Sequence, residues 1–311
     1  MNSLIDVLEL RPFLEESRVD LSSENFEAIY SALASDPTRE EVRAELDRRV
    51  RNYFGALELP EGVTLYDELL LSLRDKDLVA TFNWDPFLVQ AYRRVADLGR
   101  APRIVFLHGS VAVGYCEQDR IAGNLGEKCA KCGERFTPSP LLYPVADKRY
   151  RDHPFLASQW TELEERLSDA YVLSIFGYSA PVSDAAAVGL MRKAWDTNGT
   201  RTLAQIEIVD IRPEEELLES WRPFIVRQHY GIAASIDQTL AFRYARRSCD
   251  AFAGATLMIA PWRESPLPRH ESLSALRAAV RPLIEEERLL EEKGRAFDTG
   301  VDSPIGRAGS S

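Results

Sequence analysis

The sequence predicts an α/β protein built on a doubly wound, mostly parallel sheet, with a small cysteine-bearing insert. Three observations predict it. Four short apolar runs, at 78–82 (LVATF), 103–107 (RIVFL), 171–177 (YVLSIFG) and 205–211 (QIEIVDI), each end abruptly in small or polar residues. Helical patterns lie between or after them, at 86–96, 155–167, 183–195 and 214–221. A strand that alternates with helices and is apolar throughout has no wet face, which is how strands of a parallel sheet covered on both sides read. The third observation is the stretch from Cys116 to Pro140, polar and glycine-bearing with no helical period, which interrupts the alternation.

The elements follow in order. The first 76 residues read as helical. Ser23 can cap a helix whose apolar face is Phe26, Ile29, Tyr30 and Leu33. A charged helix at 39–53 and another at 66–73 are separated by the Pro60-Glu61-Gly62 turn. After Ile232 the chain reads as helical through Cys249, then as a linker at 261–268. A charged amphipathic helix is expected at 273–293, with Leu276, Val280, Leu283 and Ile284 as its stripe. Residues from Arg295 onward read as a disordered tail. The expected division is a helical part at 1–76, an α/β core at 77–262 with the insert at 111–140, and a linker, helix and tail at 263–311. Trp160, Trp195, Trp221 and Trp262 read as core aromatics. Arg246, Arg247 and the run from Glu285 to Glu292 read as solvated helix faces.

Composition narrows the function. At 311 residues, 45% hydrophobic and 28% charged, the chain has the make-up of an ordinary globular protein. No apolar run approaches the ~18 to 20 residues that cross a bilayer, and the first residues lack a basic leader region. The expectation is a cytoplasmic protein with no membrane partner. Against 38 basic side chains stand 49 acidic ones, a net charge of −11, with the basic residues scattered. Such a surface repels a polyanion, so nucleic acid is excluded as a partner.

In an open parallel sheet, ligands bind beyond the carboxyl ends of the strands. After the first strand comes Asn83-Trp84-Asp85, after the second His108-Gly109-Ser110, and after the third Gly177-Tyr178-Ser179, with Ser183 and Asp184 opening the next helix. Asp210 ends the fourth. Each has a plain structural reading: Asp85 can cap the helix that begins at Pro86, Ser183 and Asp184 are ordinary caps, and Asp210 can start a turn. A lone histidine after a strand is more often structural than catalytic. Together, however, they put an amide, an imidazole, a hydroxyl and a carboxylate on one sheet edge. An amide can position a water or hold a carboxamide, an imidazole can serve as general base, and a carboxylate accepts from ribose hydroxyls.

Cys129-Ala-Lys-Cys132-Gly133 is a knuckle, two thiolates spaced to grip one tetrahedral ion. Cys116 lies upstream at a ribbon-like spacing, and Asp119 falls where a second upstream cysteine would sit. Structural zinc held by Cys116, Asp119, Cys129 and Cys132 is the expectation, with His153 and Cys249 as weaker fourth ligands. A degenerate ribbon without metal and a redox pair are the alternatives. The redox reading is disfavoured because the CxxC does not open a helix after a strand.

These residues resemble a known family. Thr81-Phe82-Asn83-Trp84-Asp85 is similar to the strand-end motif of sirtuin-like domains, which are Rossmann-like folds, and Leu107-His108-Gly109-Ser110 is similar to their catalytic-histidine motif. The cysteine module follows in the order sirtuins use. Phe176-Gly177-Tyr178-Ser179 resembles the later nucleotide-contact segment, and Asp210 falls where a ribose contact is expected. The resemblance covers about 77–215, roughly half the chain. It implies NAD chemistry: Asn83 holding the nicotinamide-side ribose or a water, Asp85 contacting the carboxamide, and His108 acting as base on a ribose hydroxyl. Thr81, Phe82, Gly109, Ser110, Gly177, Ser179 and Asp210 would contact the cofactor. The Phe-Asn-aromatic-Asp pattern is closer to bacterial sirtuin-like domains associated with NAD hydrolysis in phage defence than to protein deacylases. One departure stands out: residues 1–76 hold no glycine-alanine-glycine loop, Gly55 and Gly62 being isolated. That implies either an upstream segment or a derived relative, and a sheet short of a central strand whose edges need cover. Two functions follow, an NAD glycohydrolase-type hydrolase (less so a deacylase) and a non-catalytic sensor or scaffold. In the second, the ribbon and the 273–293 helix would meet a protein partner.

Overall fold

A computed structural model describes residues 4–22, 25–143, 150–180, 184–199, 201–227, 229–269 and 272–293. The chain begins with α1 (Leu4–Val7), α2 (Arg11–Glu16), α3 (Phe26–Ser35) and α4 (Glu40–Gly55). Their apolar faces enclose Leu10, Leu14, Phe26, Leu46 and Val50, and the same core runs on into Trp84, Val111, Leu141 and Tyr143. The helical part therefore packs directly on the loops that follow the strands. Asn25, not Ser23, caps α3, its side chain accepting from Glu27 N at 3.0 Å; Ser23 lies outside the described residues. A capping box between Thr64 and Asp67 starts α5 (Leu65–Ser72).

The α/β part follows. β1 (Leu78–Thr81), α6 (Phe87–Val95) and β2 (Arg103–Phe106) form one unit, with β1 and β2 parallel in the register Leu78↔Arg103 to Thr81↔Phe106. The insert forms a small antiparallel sheet, ordered β4-β3-β5, from β3 (Val113–Cys116), β4 (Ile121–Asn124) and β5 (Thr137–Pro138). Then come α7 (Pro154–Asp169), β6 (Val172–Phe176), α8 (Ala185–Asp196), β7 (Gln205–Val209), α9 (Glu214–Trp221) and β8 (Tyr230–Ala233). β6, β7 and β8 make a parallel sheet in that order. The chain closes with α10 (Leu240–Arg243), α11 (Ser248–Thr256) and α12 (Leu273–Glu292).

Helices cover both faces of the parallel strands, as the continuous apolar runs require. On one face Trp160 and Leu163 of α7 and Trp195 of α8 share a core with Leu107, Ile206 and Ile208. On the other, Leu70 and Leu71 of α5 pack with Val79, and Leu69 packs with Val209 and Phe242. Trp160, Trp195, Trp221 and Trp262 are all buried, as expected.

Two expectations are corrected. A strand that was not expected, β8, occupies Tyr230–Ala233, and the helical stretch expected after Ile232 follows it in pieces as α10 and α11. The four residues of β8 include a glycine and carry little strand signal of their own; the ladder with β7, from Ile206↔Tyr230 to Val209↔Ala233, makes them a strand. The second correction concerns the sheet. The parallel strands form two ladders, β1-β2 and β6-β7-β8, rather than one.

The charged residues expected to be solvated are partly core. Arg246 and Arg247 are each 2% exposed and Glu287 0%. Arg246 grips Glu287 with both ends of its guanidinium, Nε to Oε1 at 2.6 Å and Nη2 to Oε2 at 2.8 Å. Its remaining donors reach the carbonyls of Leu71, Leu73 and Arg100. Arg74 adds ion pairs to Asp250, Glu287 and Glu291. Burial is tolerated because each of these charges faces the opposite charge, and the leftover donors of Arg246 meet backbone carbonyls. Leu276 and Val280 of α12 are buried against α5 and α6, so the apolar stripe of this helix is used inside the chain. No helix among the described residues is long and apolar enough to cross a membrane.

Glu287→Ala leaves Arg246 buried without its carboxylate and should cost about 3–5 kcal/mol. Arg288→Ala, which removes exposed pairs to Glu285 and Glu292, should leave stability nearly unchanged. Urea unfolding of both variants checks the difference.

Candidate functional site

The loops after β1 and β2 are tied together below the surface. Ser110 is fully buried, and its hydroxyl donates towards the carbonyls of Trp84 and Asp85 at 3.3 Å each. Its backbone N donates to Ser139 Oγ, which in turn donates to Ser110 O at 2.8 Å. Gly109 has φ of +80°, and a Cβ there would lie 1.8 Å from the Pro140 carbonyl oxygen. Gly109 and Ser110, expected at the cofactor, are thus occupied with holding two loops together.

The other residues of this region divide between rim and interior. Asn83 is exposed on the rim, its backbone N bonded to Thr81 Oγ1 at 3.0 Å. Asp85 caps α6 by accepting from Phe87 N at 3.0 Å, and burial pushes its carboxyl above the usual range. His108 is only 7% exposed. The edge of Phe82 meets its ring at 4.8 Å and Tyr150 stacks on it at 5.9 Å. Its Nε2 stands 4.0 Å from Asp184 Oδ1. Tyr178 stacks on Phe82 at 4.2 Å and donates its hydroxyl to Asp184 Oδ2 at 3.2 Å. Burial and the Asp184 carboxylate raise the Tyr178 phenol, which keeps it a donor. Asn83 and His108 therefore sit in different surroundings, one in solvent and one in an aromatic cage.

Three further predicted residues do converge. Gly177, Ser179 and Asp210 line one shallow, solvent-open depression of about 240 Å³ at the carboxyl ends of β6 and β7, with Phe176, Val209, Ile211 and Ala234. Gly177 has φ of +66°, a conformation suited to glycine that turns the chain sharply off β6. Asp210 accepts from Arg212 Nε at 3.0 Å and Nη2 at 2.8 Å, and from Arg212 N at 2.9 Å. The guanidinium holds the Asp210 carboxyl below its usual range, so this rim carries a fixed carboxylate.

The four predicted metal ligands meet in the insert. One donor atom each from Cys116, Asp119, Cys129 and Cys132 lies within 4.8 Å of the others. Cys116 Sγ is 3.5 Å from Cys132 Sγ and 3.6 Å from Asp119 Oδ2, and Cys129 Sγ is 3.1 Å from Asp119 Oδ2. A tetrahedral zinc with Zn–S near 2.3 Å and Zn–O near 2.0 Å needs edges of roughly 3.5–3.8 Å. The two Cys116 edges match, and the 3.1 Å edge between Cys129 and Asp119 would open by a few tenths of an ångström on binding, so the donor set is compatible with zinc. Without a cation, the Asp119 carboxylate pushes the Cys132 thiol up to about 12; a divalent ion reverses that by favouring thiolate. His153 instead caps α7, with Nδ1 accepting from Phe155 N, and Cys249 is in α11.

Sequence reasoning named Asp184 as a cap alone and missed Tyr150, Tyr178 and Arg212. Tyr178 lies inside the recognised FGYS run, so its position was visible and its role was not. Ser183 falls outside the described residues. No family model matches the chain, and no curated protein matches it. One solved structure, described as the crystal structure of a Sir2 homolog–NAD complex, is similar over 83% of this chain and 78% of that chain. The sequence identity is 13% and the TM-score 0.36.

Gly109→Ala forces a Cβ into the Pro140 carbonyl at a left-handed backbone angle. It should cost more than about 2 kcal/mol, whereas Gly62→Ala, with nothing within 4 Å of its Cβ, should be close to neutral. Thermal unfolding of the two variants tests this.

Proposed function

We propose that the chain is a sirtuin-like protein that binds NAD or a related nucleotide at the carboxyl rim of β6 and β7. The observation that carries this reading is the gathering of Gly177, Ser179 and Asp210 around one depression, with the Asp210 carboxylate aimed by Arg212. A fixed carboxylate at a strand end accepts from paired ribose hydroxyls, and glycine lets backbone approach a sugar or phosphate closely. The motifs around Asn83, His108 and Gly177 support the same class of ligand, and the Phe82-Asn83-Trp84-Asp85 motif supports the defence-type branch.

Cleavage of the nicotinamide–ribose bond is the second reading, favoured by the nearness of His108 to Asp184. In it, His108 takes a proton from a ribose hydroxyl, Asp184 steadies the resulting imidazolium, and Asn83 positions a water whose oxygen bonds to the ribose carbon as nicotinamide leaves. This reading requires the aromatic cage to open, since Asn83 and His108 lie in different surroundings. The reaction is then hydrolysis rather than transfer to an acyl-lysine. Binding is placed first because the depression is open whereas the imidazole lies beneath Phe82 and Tyr150. A non-catalytic sensor or scaffold, with the ribbon facing a protein partner, is what remains if cleavage fails. Zinc on Cys116, Asp119, Cys129 and Cys132 would staple β3 to the knuckle and supply fold rather than chemistry.

Calorimetry with NAD should show binding to the full chain, weakened about tenfold or more in Asp210→Ala, the scale of a hydrogen bond to a charged group. No binding by the parent chain ends the nucleotide reading. Nicotinamide release that falls to background in His108→Ala and Asn83→Ala supports cleavage; equal background in all three leaves binding alone. Elemental analysis of freshly purified protein should give one zinc per chain, reduced in Cys132→Ser.

A further inference from the structure

The three thiols of the insert differ in access and in freedom. Cys116 and Cys129 are buried, whereas Cys132 is half-buried. Cys116 ends β3 and is fixed there by its pairing with Ile121 of β4. Cys132 stands in a turn just before Gly133, whose φ of +79° keeps the knuckle tight. Phe136 and Ile121 pack around the sulfurs.

Two separations select a partner for the accessible sulfur. Cys132 Sγ lies 3.5 Å from Cys116 Sγ, in van der Waals contact. Cys129 Sγ is instead held against Asp119 Oδ2 at 3.1 Å, and Cys129 is the deepest of the three at 2% exposed. The pair in contact therefore bridges the hairpin; it is not the CxxC pair adjacent in sequence. The fourth member of the cluster is a carboxylate, which has no sulfur to oxidise. Oxidation of this set can end in a single disulfide with one thiol left over, where a cluster of four cysteines could end in two.

We propose that Cys132 is a site of oxidation by peroxide and that Cys116 captures it in a disulfide across the hairpin. This rests on the zinc reading, because a bound zinc keeps these sulfurs as thiolates, the form that attacks peroxide. Cys132 Sγ bonds to one peroxide oxygen, the O–O bond breaks, and the other oxygen leaves as hydroxide, giving a sulfenic acid. Cys116 Sγ then attacks Cys132 Sγ, the S–O bond breaks, and a second hydroxide leaves. Two thiolates have passed two electrons to one peroxide. The sulfurs close from 3.5 Å to a bond of about 2 Å, a movement that the turn at Cys132 supplies while β3 stays paired. Cys129 and Asp119 are left as a two-ligand remnant, so the metal is released while the disulfide keeps the knuckle joined to β3. A dithiol reverses the change.

The test is peptide mapping of the full chain, its zinc content measured first, before and after hydrogen peroxide and with free thiols alkylated. Trypsin cuts after Arg120, Lys128 and Lys131, so the three cysteines fall in separate peptides. Alkylation of Cys116 and Cys132 should fall together by about tenfold, with peptides 104–120 and 132–135 linked, while Cys129 and Cys249 stay alkylated. A chromophoric chelator should read zinc release in step with the link, and dithiothreitol should restore both thiols. Cys116→Ser, with unaltered circular dichroism, should instead carry Cys132 on to the sulfinic acid. A Cys129–Cys132 link, a link between two chains, or zinc release with Cys116 still alkylated overturns the proposal and leaves the zinc reading intact. Protein that carries no zinc before peroxide overturns both.

Discussion

Trp160 donates its indole N–H to Leu107 O at 3.1 Å, inside a core shared by both parallel ladders. That contact makes α7 the element on which the architecture depends. Gln159 caps the edge of β2, Glu162 pairs with Arg103 at 3.1 Å, and Arg166 reaches Lys76 O. Asn198 anchors the exit of α7 by donating to Leu167 O and Ala170 O, which fixes where β6 starts. Among the described residues no ladder joins β2 to β6, so their relation is carried by the helix that connects them in the chain. A parallel strand has no wet face to spare, and its covering helices become structural members rather than decoration.

The same principle operates at higher cost around Arg246. Joining α5, α11 and α12 takes a buried guanidinium, which is acceptable because Glu287 and three carbonyls answer its donors. Nothing in the local sequence marks this. Arg246 and Glu287 are 41 positions apart, and each sits in a charged stretch of a kind that usually faces water. Buried ion pairs are properties of tertiary contact, and a charge pattern read locally assigns them to the surface.

What was legible follows from the range of the physics involved. The runs at 78–82, 103–107, 171–177 and 205–211 are strands because short apolar runs that end in small or polar residues are a local signal. β7 and the end of β2 are buried as the runs imply, whereas β1 and β6 are only half-buried, with Ala80, Ser174 and Phe176 exposed. The helix expected at 214–221 matches α9 end to end. Asp119 was legible because metal-ligand spacing is local along a hairpin. β8 was not, since its strand character comes from pairing with β7. The split between the ladders was only hinted at, through the missing glycine loop, because an apolar run reports that it is covered and not by what. Asp184 looked like a cap because its partner His108 is far off in sequence.

The turn after β6 is tied to the surroundings of His108 through one residue. Tyr178 lies between Gly177 and Ser179 in sequence. Its ring stacks on Phe82, which also meets the edge of His108, and its hydroxyl holds one oxygen of Asp184 while the other faces His108 Nε2. The left-handed Gly177 sets the direction in which that ring leaves β6, so the geometry of the turn and the packing of a buried imidazole distant in sequence are fixed together.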